Sequence, residues 1–437
     1  MSKVAHGFLE IKFSSLMERF LPFEEAPVVA VGVSGGSDSL ALTLLLQRWL
    51  ERYQGRLCGL IVDHGLRPES SAEAEAVKSW LNDHHIEAHI LPWRGPKPTA
   101  HIQMSARVAR VNLMQDWCVQ NQVLHLFLAH HCEDQFETFL LRQEKASDLD
   151  GLAGMSSIVI KRDLRVLRPL LALSKEELRV YLRERAQTWI EDPSNINPKF
   201  ARSQLRQGID FSKKAHSCVE LLEKLGQLRN LWQRLAACFY ASYGALYPEG
   251  YGQLSFEPWA KLPKAFAQDI LKNLIKTIGT EDYAPKRKAL DRLFIQIHAL
   301  GFKSATLGGC LIVLKKSMLF VMRETAAISR EDQQKHSAVF DNRFLLSYDL
   351  ENKISKTTCL EQIQNPLKKE VLSSTAFKYL PRKVAFGLPV LFERDKLKYL
   401  YRFGCYENLN DTPLRGWFRP KYPLTNSFSF LLNTNGA

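Results

Sequence analysis

The 437-residue sequence predicts an α/β protein that begins with a doubly wound parallel sheet, continues into a mainly helical middle domain and ends in a small α/β C-terminal domain. Three observations support this prediction. Apolar, β-branched runs alternate with helical patterns up to about residue 185, which is typical of a parallel sheet covered by helices. Helical periodicity dominates from residue 216 to about 300. Beyond residue 365, short β-like runs are interleaved with basic residues.

The first part supplies its elements in alternation. Each strand candidate is a short apolar run, and each helix candidate carries apolar residues three or four positions apart. The strands are predicted at 28–33, 57–62, 88–91 and 124–129, and the helices at 8–21, 40–46, 70–84, 102–120, 134–142 and 174–185.

The sequence Ser-Gly-Gly-Ser-Asp-Ser lies between the first strand and its helix. Two glycines let the backbone approach an anion closely, and the free N–H groups at a helix start favour negative charge. The Gly-Lys-Ser/Thr ending of a Walker A loop is absent. Asp38 would repel a bare phosphate, so its carboxylate should face Mg²⁺ or a cationic substrate. The predicted phosphate loop consists of Ser34, Gly35, Gly36, Ser37, Asp38 and Ser39.

Two further polar clusters follow predicted strands. Asp63 ends the second strand, and residues 130–135 follow the fourth. Ligands of a doubly wound sheet bind outside the carboxyl ends of its strands, so these clusters should converge on the loop. Convergence would bring Asp38, Asp63 and Asp134 together around a phosphate site. Taken singly, Asp63 or Asp134 could instead cap a helix.

Composition limits the class of protein. The formal charge of +13 and the pI near 9.3 favour a polyanionic partner. The eight cysteines form no C-x-x-C pair, which argues against a zinc ribbon, an iron–sulfur site or a redox dithiol. No run has membrane-spanning length and residues 1–23 do not resemble a signal peptide, so a cytoplasmic protein without a membrane partner is expected.

Basic residues concentrate in two stretches. Residues 161–214 hold 13 Lys/Arg against 7 Asp/Glu, including Arg202 and Arg206 four positions apart. Residues 365–405 hold 9 Lys/Arg against 3 Asp/Glu, interleaved with aromatic residues. Both patterns fit a phosphate-backbone surface. A solvated helix face for the first stretch, and a small basic domain with its own core for the second, are the alternatives.

Together the motifs resemble the tRNA(Ile)-lysidine synthetase family of the pyrophosphate-loop ATPase group. The resemblance is strong over residues 28–206 and rests elsewhere on layout and on Gly308-Gly309. Besides the loop, it uses Val-Asp-His-Gly-Leu-Arg at 62–67, Ala-Arg-x-x-Arg at 106–110, Ala-His-His-x-x-Asp-Gln-x-Glu-Thr at 129–138, Gly-Leu-Ala-Gly-Met at 151–155, Arg-Pro-Leu-Leu at 168–171 and Glu-Asp-Pro-Ser-Asn at 191–195.

The resemblance implies a specific reaction. ATP would adenylate C2 of the wobble cytidine 34 in tRNA(Ile) with a CAU anticodon, and the side-chain amine of L-lysine would displace AMP to give lysidine. The implied catalytic residues are Asp38, Asp63, Asp134 and Arg107, with Mg²⁺ on Asp38. The implied substrate-binding residues are His131, Glu133, Asp134, Glu137, Arg202 and Arg206.

The family layout suggests four segments. Residues 1–215 would form the ATP-binding catalytic domain, 216–330 the helical tRNA-binding middle domain, 331–364 a linker and 365–437 a basic tRNA-binding domain. The sequence leaves both a monomer and a homodimer open.

The chain also departs from the family pattern. Glu133 stands where Asp is usual, and Lys145-Ala146-Ser147-Asp148 replaces a usual Arg-Gly-Ser-Gly. Both an active divergent enzyme and one with weakened turnover are compatible with these losses. Two other functions stay open: a tRNA thiolase with the same loop, for which the expected cysteine pair is absent, and a basic RNA-binding protein that no longer catalyses.

Overall fold

The computed structural model describes residues 7–95, 102–145, 147–161, 164–191, 211–281, 284–328, 339–347, 356–359, 381–393, 396–400, 404–405, 415–420 and 424. These residues fall into two compact units that divide between Trp232 and Gln233. Within the described residues, no helix is both long and apolar enough to cross a membrane.

A six-stranded sheet forms the centre of the first unit. Its strands are β1 (Val28–Gly32), β2 (Arg56–Asp63), β3 (Glu87–Pro92), β4 (His125–Phe127), β5 (Ile158–Lys161) and β6 (Leu164–Leu167). Their spatial order is β3-β2-β1-β4-β6-β5. All neighbours pair in parallel except β5, which runs antiparallel to β6 at one edge. This arrangement confirms the predicted doubly wound parallel sheet.

Helices cover the sheet. They are α1 (Phe8–Glu18), α2 (Ser37–Leu50), α3 (Ser70–Asp83), α4 (Ile102–Gln120), α5 (Cys132–Glu144), α6 (Leu149–Leu152), α7 (Lys175–Arg183) and α8 (Phe211–Tyr243), which continues past Trp232. The strand β1 contains only apolar residues and glycine, and the run of apolar residues in the middle of α2 buries that helix against the sheet. The helical periodicity after residue 216 predicts separate helices at 219–232 and 234–243, but the structure joins them in one continuous helix, α8.

The second unit contains helices and a five-stranded antiparallel sheet. The helices are α9 (Phe256–Ala260), α10 (Lys264–Gly279) and α11 (Arg287–His298), which confirms the helical character of this region. The strands are β7 (Gly244–Tyr247), β8 (Tyr251–Ser255), β9 (Ser304–Leu307), β10 (Cys310–Lys315) and β11 (Met318–Arg323), in the order β7-β8-β11-β10-β9. The sequence at 305–323 predicts two strands with a turn at Gly308-Gly309, and the structure confirms strands there. The hairpin β7–β8 is not predicted by the sequence pattern.

Two small antiparallel sheets follow. Their elements are β12 (Val339–Phe340), β13 (Phe344–Ser347), β14 (Lys356–Cys359), α12 (Arg382–Phe386), β15 (Pro389–Glu393), β16 (Lys396–Leu400), β17 (Gly404–Cys405) and β18 (Arg415–Phe418). The stretch predicted as a linker, 331–364, therefore includes β12, β13 and β14. Asp341, between β12 and β13, pairs with Arg323 of β11 through a buried 2.9 Å contact. The four-segment division itself stays a prediction.

Candidate active site

The predicted phosphate loop connects β1 to α2, and Gly35 is its tightest point. Gly35 has a φ of +80°, and a Cβ there would lie 2.7 Å from Val77 Cγ2 and 3.0 Å from Ile190 Cδ1. The Gly35 carbonyl also accepts a 2.9 Å hydrogen bond from the backbone N–H of Ile190. Position 35 therefore requires glycine both for its backbone conformation and for space.

Serine hydroxyls hold the loop in shape. Ser39 Oγ donates to the Gly36 carbonyl at 2.9 Å and accepts from the Ser34 backbone N–H at 3.2 Å. Ser37 Oγ donates to Asp38 Oδ1 at 3.0 Å. Gly36 is the N-cap of α2 and has no side chain to satisfy the first N–H groups of the helix. The N–H groups at such a helix start are able to bind an anion.

His131 joins the loop to α5. Its Nε2 atom lies 3.5 Å from Asp38 Oδ2 and 3.4 Å from Asp134 Oδ2, and its Nδ1 atom lies 2.8 Å from Glu133 Oε2. Burial alone would lower the pKa of His131, but the carboxylates of Asp134, Asp38 and Glu133 raise it to about 10. A buried imidazolium therefore faces three carboxylates at this point and offsets part of their negative charge.

Asp38 carries two positively charged neighbours. Besides His131, the Lys175 Nζ atom lies 3.9 Å from Asp38 Oδ2. Burial raises the pKa of Asp38, whereas His131, Lys175 and Ser37 lower it, and the net pKa is lowered. Lys175 was not a predicted site residue. The sequence Ser-Lys-Glu-Glu at 174–177 predicts a capping box at the start of α7, and the structure confirms it. The contact between Lys175 and Asp38, which lie 137 positions apart, has no local sequence signal.

A second buried group surrounds His130. Arg168 Nε donates to His130 Nδ1 at 3.2 Å, and Arg107 Nη2 lies 3.3 Å from His130 Nε2. Burial, Arg168, Arg107 and Arg110 outweigh Asp134 and lower the pKa of His130 to about 3, so the ring is neutral. The structure thus brings the predicted residue Arg107 to the end of β4. Arg168 also lies at this place. It belongs to the Arg-Pro-Leu-Leu motif but is not among the predicted site residues.

Asp63 occupies the predicted end of β2. Its carboxylate accepts hydrogen bonds from Ser71 Oγ at 2.7 Å and from the Gly65 backbone N–H at 3.0 Å. Hydrogen bonding to Ser71, the largest cause, and to Ser70 and Gly65 lowers the pKa of Asp63. These partners lie in the β2–α3 connection and at the start of α3. Asp38 and Asp134 meet across His131, so the structure brings these two predicted carboxylates together.

Three predicted site residues remain, of which the structure describes one. Glu137 is buried on α5, one turn after Asp134, with 1% of its surface exposed. Arg202 and Arg206 lie outside the described residues, so their predicted substrate-binding role stays a prediction.

Comparisons with known proteins find relatives that match most of this chain. Residues 9–210 match the PP-loop domain family. A tRNA(Ile)-lysidine synthase from Orientia tsutsugamushi is 30% identical over 89% of this chain and 92% of its own length. A tRNA(Ile)-lysidine synthase from Wolbachia sp. subsp. Brugia malayi is 32% identical over 92% of this chain and 94% of its own length.

One solved structure reported as similar is that of the U34-tRNA thiolase NcsA from Methanococcus maripaludis. It aligns with a TM-score of 0.43 and 18% identity, over 50% of this chain and 80% of that chain. A likeness at this level lends no weight to a thiolase activity.

Proposed function

The chain belongs to the tRNA(Ile)-lysidine synthase family, and from that membership we propose how its site carries out the reaction. The protein is an ATP-dependent, tRNA-modifying ligase. We propose that O2 of the wobble cytidine attacks the α-phosphate of ATP and releases pyrophosphate. The ε-amine of L-lysine then attacks C2, loses a proton and displaces AMP. The carrying observation is that Asp38 of the phosphate loop and Asp134 of α5 meet across His131.

The loop side of this site suits ATP. The α2 N-terminus and the serine-braced backbone supply N–H donors for the phosphates. Mg²⁺ fits as well, because it is commonly held by one or two carboxylates together with substrate phosphates. Asp38 would hold it, because its carboxylate lies within the phosphate loop itself. Bound there, Mg²⁺ would neutralise charge on the triphosphate.

The α5 side suits the lysine cation. A buried ammonium group requires an anionic partner, and Asp134 places its carboxylate beside Asp38. Glu137, buried one helical turn further on, would extend this acidic wall. Burial raises the pKa of Asp38, but His131 lowers it and so favours the ionised form of that carboxylate.

The tRNA partner fits the charge of the chain. The net charge of +13 and the basic stretches at 161–214 and 365–405 favour contacts with the phosphate backbone. The wobble base itself has to leave its stack to reach the adenylating site. We therefore propose that the C-terminal regions hold the tRNA body, while the phosphate loop and α5 select the base.

Labelled lysine incorporation tests this function. Full-length protein, ATP, Mg²⁺ and tRNA(Ile) with a CAU anticodon should give labelled tRNA and release AMP and pyrophosphate in equal amounts. The same tRNA with a UAU anticodon is the control and should stay unlabelled. Tight tRNA binding without AMP release would favour the non-catalytic RNA-binding alternative. ATP-dependent sulfur incorporation without lysine would favour the thiolase.

A further inference from the structure

Glu133 is almost fully buried, and its carboxylate links the starts of two helices. Glu133 Oε2 accepts a 2.8 Å hydrogen bond from His131 Nδ1 and a 3.2 Å contact from Cys132 Sγ. Both carboxylate oxygens also lie near the backbone N–H of Lys175, at 3.2 and 3.1 Å. The residue is 6% exposed. Glu133 thus bonds both to α5, where it resides, and to the first turn of α7.

These contacts leave the carboxylate little capacity for a substrate. An ionised carboxylate accepts about four hydrogen bonds, and three donors of the chain already occupy this one. Burial would raise the pKa of Glu133, but its bond with His131 lowers it to about 2, so the group stays ionised. A lysine ammonium group has three N–H donors, so it would have to share the one remaining acceptor site or displace a donor in a buried place, which costs free energy.

The two cations that touch Asp38 both depend on Glu133. His131 faces Glu133 with Nδ1 and Asp38 with Nε2, so the bond on one side of the ring fixes the direction of the other. Lys175 is bonded through its backbone N–H, and its Nζ atom lies 3.9 Å from Asp38 Oδ2. Glu133 is therefore linked to Asp38 through a single intervening residue on each path, His131 on one and Lys175 on the other.

We propose that Glu133 is a positioning residue that holds His131 and Lys175 beside Asp38, and that it does not contact the lysine substrate. The inference rests on the proposed function, because it assigns the roles of two carboxylates in that reaction. Asp134 remains the lysine-binding group, and Glu133 serves the adenylation and transfer steps alike through the groups that it orients.

Glu133→Gln tests the proposal, since the amide keeps the shape but removes the charge and places an N–H₂ group against donors. Two rates are measured: tRNA-dependent ATP–pyrophosphate exchange without lysine, and lysine incorporation as a function of lysine concentration. Misplacement of reacting groups by about 1 Å costs on the order of 10²-fold in rate. We expect both rates to fall together by about that factor, with the apparent KM for lysine changed less than about threefold.

Glu176→Gln is the matched control. It removes the same charge from the first turn of α7, where Glu176 pairs with Arg183 at the surface, and should leave both rates unchanged. Glu133→Asp keeps the charge on a shorter side chain, so it should recover part of both rates. If circular dichroism shows that Glu133→Gln does not fold, Glu133→Asp is used as the test variant in its place.

Distinct results would overturn the proposal. A rise in the lysine KM with unchanged exchange, in either Glu133 variant, would make Glu133 a direct lysine ligand. If Glu133→Gln had the same two rates as Glu176→Gln, Glu133 would have no role in either step. If the wild-type protein exchanges pyrophosphate but incorporates no lysine, the proposed function fails, and the exchange rate alone still tests whether Glu133 positions Asp38.

Discussion

Replacing Gly35 by alanine should destabilise the phosphate loop, because two separate costs act at this position. The backbone has a φ of +80°, which an L-residue with a side chain adopts only with strain. The new Cβ would also lie 2.7 Å from Val77 Cγ2 and 3.0 Å from Ile190 Cδ1. Moving away would strain the 2.9 Å hydrogen bond between Ile190 N–H and the Gly35 carbonyl.

The expected loss follows from these two terms. The left-handed conformation costs an L-residue about 1–2 kcal/mol. Forcing an extra carbon into a packed site costs about 1–3 kcal/mol. Together they give about 2–5 kcal/mol, a large share of the roughly 5–15 kcal/mol by which a domain is typically stable. Relaxation of the Val77 side chain would bring the loss toward the lower value.

Gly36→Ala provides the control one residue away. Gly36 has extended backbone angles of φ −73° and ψ 158°, and the nearest atom to an added Cβ is Ser34 Oγ at 3.6 Å. Urea unfolding of the full chain, followed by circular dichroism, should show a lower unfolding midpoint for Gly35→Ala than for wild type. For Gly36→Ala, the free energy of unfolding should change by less than about 1 kcal/mol. Equal midpoints for Gly35→Ala and wild type would refute the steric argument.

Four further outcomes are expected. Asp38→Ala should fold normally yet lose pyrophosphate exchange; near-normal lysidine formation would contradict its role. Asp134→Asn should raise the KM for lysine more than that for ATP, as measured by labelled-lysine incorporation. His131 has a folded pKa raised from 6.5 to about 10, so the stability it confers is complete below pH 6.5 and declines as pH rises toward 10; urea titrations should show that His131→Gln lacks this decline. Filter binding should show tRNA affinity falling steeply with salt, and a flat salt response would argue against phosphate contacts.

Local sequence signals accounted for the parallel sheet and its loop. The run 28–33 is continuously apolar because β1 is buried on both faces, and two glycines mark a turn that no other residue type fits at position 35. The same reasoning placed Asp134 near the loop from strand order alone. Asp63 likewise ends β2 as expected, and its carboxylate bonds to Ser71 at the start of α3, so its predicted catalytic role stays a prediction.

Contacts between distant residues were beyond such reasoning. The edge strand β5 and the hairpin β7–β8 are short, and their pairing partners rather than their own patterns make them strands. The contact of Lys175 with Asp38 depends on how α7 packs beside α2, which a helix pattern does not specify. Glu133 could be expected to hold substrate because it adjoins Asp134, yet its direction is set by α7.

The loop before α6 shows how the chain compensates for the glycine it lacks at position 148. Asp148 has φ −70° and ψ −179°, an extended conformation open to any residue, and its carboxylate accepts a 3.1 Å hydrogen bond from Gly151 N–H. The glycine that the geometry does require is Gly154, where φ is +66° and a Cβ would lie 2.6 Å from Gln135 Oε1.

Gln135 in turn fixes Met155, accepting from its N–H at 2.6 Å and donating to its carbonyl at 2.9 Å. Arg229 of α8 donates to the Gly154 carbonyl at 3.1 Å. Since Gln135 follows Asp134 directly, the turn at Gly154 and Met155 is attached to the helix start that carries Asp134. Asp148 thus stands at a position whose backbone needs no glycine, and its carboxylate caps α6, which a glycine side chain would not do.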